Sequence, residues 1–140
     1  MDVAILGGGI VGKALFAALK QARYPLPVSG ILIDREPATP KPVPPAHSKS
    51  GDSLNGYSNR VSSINASQLP FLQSLGIDLG VQGSSLEAQG YSQMLLWYAD
   101  HQEAAVRLGG GKRPLAWIVE NRRLSAALDD CIAGCEATGW

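Results

Sequence analysis

An excess of charge of either sign is missing from this sequence: Lys and Arg total 12, Asp and Glu total 12, and the formal net charge is +0. The basic face that nucleic-acid binding asks for is therefore not expected. Long apolar runs are missing too, each being interrupted well short of the roughly 20 residues a membrane-spanning helix needs. Met1 is followed at once by Asp2 and the apolar run 3–6, which leaves no room for a signal or transit peptide, so no targeting segment is expected. Cysteine is scarce. Cys131 and Cys135 lie four apart, on one face of an expected helix, with no Cys-x-x-Cys and no further cysteine to complete a zinc site. They read as small buried hydrophobes. His47 and His101 stand in separate polar stretches and read as solvated loop residues, not as metal ligands. Gly111-Lys112 is followed by Arg113, not Ser or Thr, so it is no P-loop. No Gly-x-Ser-x-Gly elbow is present. Asp129 and Asp130 are expected on the solvent side of the last helix, not in a catalytic cleft.

What is present is globular in character. Hydrophobic residues make up 45% and charged residues 17% of 140, which suits one folded domain. Residues 3–6 form an apolar run closed by glycine and predict a buried strand. Residues 10 to about 22 predict a helix rich in Ala and Leu, with Lys20 and Arg23 near its end and Pro25 and Pro27 beyond it. Residues 31–33 predict a second strand, closed by Asp34. Prolines then cluster between about 37 and 56, an extended loop whose Pro-x-x-Pro spacings read as a plain spacer or an SH3-type ligand. Residues 67–75 predict a helix with Pro70 in its first turn and Gly76 as its stop. Residues 94–98 and 104–108 predict a pair of antiparallel strands, and 115–119 a further strand. Leu124, Ala127, Leu128, Cys131, Ile132 and Cys135 carry the helical i, i+3, i+4, i+7 spacing, which predicts a final helix with one apolar face.

Gly7, Gly9 and Gly12 make Gly-x-Gly-x-x-Gly between a predicted strand and a predicted helix. In that context each glycine has a physical task. Gly7 permits the tight turn, Gly9 lets backbone approach a pyrophosphate, and Gly12 lets helix and sheet pack closely. The helix N-terminus offers N–H groups and a positive dipole end to phosphate. Asp34 follows about 20 residues later, where a carboxylate accepts hydrogen bonds from a ribose hydroxyl and repels a 2′-phosphate. The plain alternative is a glycine turn followed by an ordinary strand-end aspartate. The fingerprint does not separate FAD from NAD. Phe16 stands where such helices often carry a small residue, which bears on helix–sheet packing, and Ala17 beside it can compensate through a slight rotation.

Two later segments carry more. In residues 57–64, Arg60 lies between the proline loop and an apolar helix, where a guanidinium can reach a pyrophosphate or a flavin edge, or simply face solvent. In residues 117–124, Asn121 precedes the last helix and suits an N-cap, a role compatible with ligand binding. Glu120 fits a helix-start acid, and Arg122 and Arg123 fit a solvated face.

Gly7-Gly8-Gly9-Ile10-Val11-Gly12, then Asn59-Arg60-Val61-Ser62-Ser63-Ile64, then Leu75-Gly76, then Ile118-Val119-Glu120-Asn121-Arg122 occur in that order. In this the chain resembles the ubiquinone-biosynthesis flavin monooxygenases, of the para-hydroxybenzoate hydroxylase-like class. The wording from Ser58 to Ile64 is most similar to the mitochondrial branch. The resemblance covers nearly the whole chain except the proline loop. It implies an α/β fold: a Rossmann-like FAD-binding segment built on the Gly-rich strand–turn–helix, with an incomplete sheet. It implies that Gly7, Gly9 and Gly12 hold the FAD pyrophosphate, that Asp34 holds the adenosine ribose, and that Arg60 contacts the cofactor. Asn121 stands where many relatives place Arg or Gln near the flavin, and Arg122 is a secondary candidate. The implied activity is hydroxylation of a polyprenylated phenol with oxygen activated on reduced flavin. Electrons would come through a ferredoxin system or from NAD(P)H, at the matrix face of the mitochondrial inner membrane and beside other ubiquinone-biosynthesis proteins. The family's second FAD signature, Gly-Asp, belongs to a C-terminal half that these 140 residues do not include. The expectation is thus an N-terminal part, inactive alone, with no catalytic residue of its own. Two other readings stand beside it. An NAD-dependent dehydrogenase domain needs only the glycine loop and Asp34. A truncated, non-catalytic product would instead bind a partner through its apolar edge.

Overall fold

The computed structural model describes residues 2–22, 29–35, 60–79 and 86–137. The proline cluster at about 37–56, His47, Arg23, Pro25 and Pro27 lie outside the described residues. Among the described residues the fold is mixed α/β, with small sheets and three α-helices.

Strand β1 (Asp2–Leu6), helix α1 (Ile10–Gln21) and strand β2 (Ser29–Ile33) come first. β1 and β2 pair in parallel, from Asp2 opposite Ser29 to Leu6 opposite Ile33. Parallel pairing of strands adjacent in sequence requires a crossover, and α1 is that crossover. Alternation along the strands turns Val3, Ile5, Gly30 and Leu32 to one face and Ala4, Leu6, Ile31 and Ile33 to the other. The first face packs α1, and Ile5 is buried there. The second face is exposed, with Leu6 81% accessible.

Phe16 is buried against the sheet, and the small residue that lets it in is on the strand. A Cβ on Gly30 would lie 3.1 Å from Phe16 Cε2. The packing expected of a small helical residue has thus been exchanged across the interface: bulk on α1, none on β2. Ala17 is fully buried, but on the side that meets the main core.

A second sheet follows, made of strands β3 (Val61–Asn65), β4 (Ala88–Tyr91) and β7 (Ala116–Glu120). β7 is central and antiparallel to both neighbours, with Val61 opposite Glu120 and Ala88 opposite Val119. Between β3 and β4, a 3-10 turn (Ala66–Gln68) leads into helix α2 (Leu69–Ser74). Asn65 and Gln68 form a reciprocal capping box at the turn. Pro70 sits in the first turn of α2, where its missing N–H costs nothing. The helix stops at Gly76: Gly76 N–H donates to Gln73 C=O at 2.9 Å and Ile77 N–H to Leu72 C=O at 3.0 Å, a paired closure that satisfies the last carbonyls.

Strands β5 (Gln93–Tyr98) and β6 (His101–Gly109) form an antiparallel hairpin between β4 and β7. Its base is tied by Gly110 N–H to Ser92 C=O and Leu115 N–H to Tyr91 C=O, each 2.7 Å. Met94 pairs with Leu108 and Leu96 with Val106, and all four are exposed. His101 begins β6 and is exposed, 3.1 Å from Glu103.

Helix α3 (Asn121–Ala137) closes the core. Leu124 and Leu128 are buried with Val119 of β7, Leu72 and Leu75 of the α2 region, and Ala17 of α1. Fully burying a leucine side chain contributes roughly 1.5–3 kcal/mol, so this seam holds α1, α2 and α3 on the second sheet. Cys131 packs at its edge, half-buried, and its thiol donates to Leu75 C=O at 3.0 Å. Asp129 departs from the expectation of a solvent-side residue, because it is turned onto α1; Asp130 is exposed as expected.

Two outcomes follow from this packing. Gly30→Val places branched bulk where Phe16 lies and should destabilise the chain by about 2 kcal/mol in urea unfolding. Adding Phe16→Leu should return part of that loss. Burial pushes the Cys131 thiol up, helped by the nearby charges of Cys135 and Asp130. The unfolded chain therefore ionises this thiol first, and its contribution to stability falls as pH rises through the ordinary thiol range. Alkylation of Cys131 at pH 8, followed by mass spectrometry, should be slower in the folded chain than in urea.

Candidate functional site

The site begins where β1 stops. Gly7 has φ +108°, a conformation that side chains other than glycine's disfavour, and its N–H donates to Ile33 C=O at 2.8 Å. This bond joins the end of β1 to the end of β2. The chain then reverses into α1 so tightly that a Cβ on Gly12 would collide with the Gly7 carbonyl oxygen. Gly12 is thus fixed by the turn itself.

Gly9 is the N-cap of α1, in extended backbone, and no side chain caps the helix. The first helical hydrogen bond is Lys13 N–H to Gly9 C=O, 2.9 Å. The first-turn N–H groups before Lys13 precede that ladder and point out of the helix end. The first turn holds no acid, and a Cβ on Gly9 would meet no atom of the described residues within 4 Å. A helix N-terminus whose own first turn holds no acid suits a phosphate.

Asp34 lies beside this loop. Its Oδ1 accepts from Arg35 N–H at 2.7 Å. Its Oδ2 stands so close over Gly8 that a Cβ there would collide with it. Gly8 was not among the residues the motif singles out, yet its bare backbone is what lets the carboxylate sit over the loop. The signal was present as the third glycine of Gly7-Gly8-Gly9. A positive helix end and an exposed carboxylate now flank one opening.

Arg60 and Asn121 form a separate contact group. Asn121 N–H donates to Arg60 C=O at 3.0 Å, extending the β3–β7 ladder by one step. Asn121 is the first residue of α3, not the residue before it. Its Oδ1 accepts from Ser62 Oγ–H at 2.6 Å, so it is oriented across the sheet end instead of serving as the N-cap expected. That bond turns the two N–H donors on Nδ2 away from Ser62. Ser62 is therefore a positioning residue that the sequence alone did not mark. Arg60 itself is exposed.

Beside this group the charges are internal. Glu120 Oε2 lies 3.4 Å from Arg122 Nε and 3.5 Å from Arg123 Nε, and Arg123 Nη1 lies 3.2 Å from Glu87 Oε2. Glu120 and Arg123 are both buried. The expectation of a solvated face thus fails for Arg123, because its guanidinium bridges two carboxylates; Arg122 is half-buried. An open cleft of about 350 Å³ runs along this chain of charges, floored by Val61, Ala88 and Ile118.

Lys13 links the elements that carry the two groups. It follows Gly12 directly, so the sequence invites a phosphate-binding reading. The structure turns it inward instead: only 5% exposed, its Nζ donates to Ser125 Oγ at 2.8 Å and to Asp129 Oδ2 at 2.7 Å, both on α3. A cation in an Ala- and Leu-rich helix was the available clue.

The two ends of this ion pair should respond unequally to mutation. Asp129→Ala leaves a lysine charge in the interior and should cost about 3 kcal/mol. Lys13→Met keeps the apolar stem, and the partly exposed Asp129 returns to water, so the loss should be near 1 kcal/mol. Denaturant unfolding of both variants measures the difference. No family model and no curated protein matches this chain.

Proposed function

We propose that this chain is the FAD-binding part of a flavin-dependent aromatic-ring monooxygenase. The observation that carries the nucleotide assignment is the N-terminus of α1, which no described side chain caps and which is open at Gly9, with the Asp34 carboxylate beside it over Gly8. In this reading the first-turn N–H groups of α1 take the pyrophosphate, and Asp34 accepts from the adenosine ribose. Arg60 and Asn121 hold the flavin-proximal end, with Ser62 fixing the carboxamide. When bound, the flavin supplies the redox chemistry that activates oxygen. The described residues bind and orient it, and none of them is assigned a catalytic role.

The choice of FAD over NAD rests on the ordered resemblance of the Arg60 and Glu120-Asn121-Arg122 segments to the ubiquinone-biosynthesis monooxygenases. The same resemblance supports a polyprenylated phenol as the substrate of the whole enzyme, a ferredoxin system or NAD(P)H as its electron donor, and a mitochondrial location.

Fluorescence titration with FAD, alongside thermal unfolding, tests the reading. Saturable binding that raises the melting temperature is expected. Arg60→Ala should weaken FAD binding by about tenfold, the loss of one charge-assisted hydrogen bond. An unchanged affinity in that variant would return the chain to the NAD-type reading, which gives Arg60 no task.

A further inference from the structure

We infer that Lys13 is a positioning residue that joins the glycine loop and the Arg60–Asn121 group into one ligand site, an inference that rests on the dinucleotide reading above. The two groups are built on different sheets. Gly7, Gly9, Gly12 and Asp34 belong to the β1–α1–β2 unit, whereas Arg60 and Asn121 sit at the end of the β3–β7 pair. A ligand that spans both needs their separation held fixed.

Lys13 is placed to hold it. It lies in the first turn of α1, one residue after the glycine that closes the loop. Its ammonium reaches Ser125, one turn into α3, and Asp129 near the middle of that helix, and Asn121 opens the helix one turn before Ser125. Both bonds span more than a hundred residues of sequence, with separations of 112 and 116. Elsewhere the α1–α3 seam is made of Ile10, Ala14, Ala18, Leu124 and Leu128, whose contacts fix distance but tolerate sliding. A buried, directional, charge-assisted pair fixes the slide as well. The ammonium is directed to α3, so the loop's positive potential comes from its own backbone N–H groups, and Lys13 sets where the loop stands relative to Asn121.

The claim separates two ligands that differ only in reach. ADP occupies the glycine loop and Asp34, while FAD also meets the Arg60–Asn121 group. In the full 140-residue chain, Lys13→Met should leave ADP affinity within about twofold and weaken FAD about fivefold to tenfold, the size of a modest coupling between sites. Asp129→Asn should give the same split, and it guards against a fold defect peculiar to the first variant. Equal losses for both ligands, or no loss for either, would overturn the inference. Hydrogen exchange supplies a readout without ligand: the bonded amides of residues 13–16 in α1 and of Asn121 and residues 124–128 in α3 should exchange faster in Lys13→Met, and unchanged protection at either place counts against the clamp. If the unmutated chain binds neither ADP nor FAD, the dinucleotide reading falls, while hydrogen exchange still decides whether Lys13 couples the two elements.

Discussion

The closure of Gly12 onto the Gly7 carbonyl governs the rest of this structure. It forces the chain to leave β1 and enter α1 within a few residues, which aims the helix N-terminus past the end of the sheet. It also sets the rotation of α1. With that rotation fixed, Phe16 must point at β2, and β2 answers with Gly30. One turn earlier on the helix, Lys13 must point at α3, and α3 answers with Ser125 and Asp129. α3 in turn continues directly from β7, whose end is bonded to Arg60. Each step constrains the next, from a turn with no side chains to a sheet end many residues away.

The buried charges are paired with one another, and Asp34 stands exposed beside the glycine loop. Lys13 is matched by Asp129, and Glu120 lies between Arg122 and Arg123. Such pairs contribute little net stability against a well-packed apolar alternative, but breaking one is costly, so they enforce geometry. Asp34 is exposed, tethered only through Arg35 N–H among its described contacts, and the helix end near it carries no compensating acid.

How much of this was legible depended on where the partner lay. β1, α1 and β2 were readable because glycine, apolar runs and helical spacing are local signals. The β5–β6 hairpin and α3 were readable for the same reason, within a few residues at each end. β3 and β4 were not anticipated as strands. Val61-Ser62-Ser63-Ile64-Asn65 and Ala88-Gln89-Gly90-Tyr91 lack strong apolar alternation, and both become strands by pairing with β7. Arg123 and Asp129 looked solvated because their partners, Glu87 and Lys13, are remote in sequence. Phe16 looked like a misfit for a similar reason, since its accommodation is on another strand. Of the site, the motif residues were visible, while Gly8, Ser62 and Lys13 required three-dimensional neighbours to acquire a role.

The central place of β7 bears on how the chain is made. During synthesis β3 and β4 emerge well before the strand that lies between them, and two strands separated by the width of a third have no ladder to form with each other. The second sheet can close only after residue 120 has left the ribosome, across loops whose closure entropy must be met all at once. α1 is in the same position, since its seam partner α3 comes later still. The early half of the molecule therefore waits, with Leu72, Leu75 and Ile77 uncovered, for a strand and a helix contiguous in sequence. A pause in translation between β6 and β7 would lengthen the time that apolar surface is open to other chains.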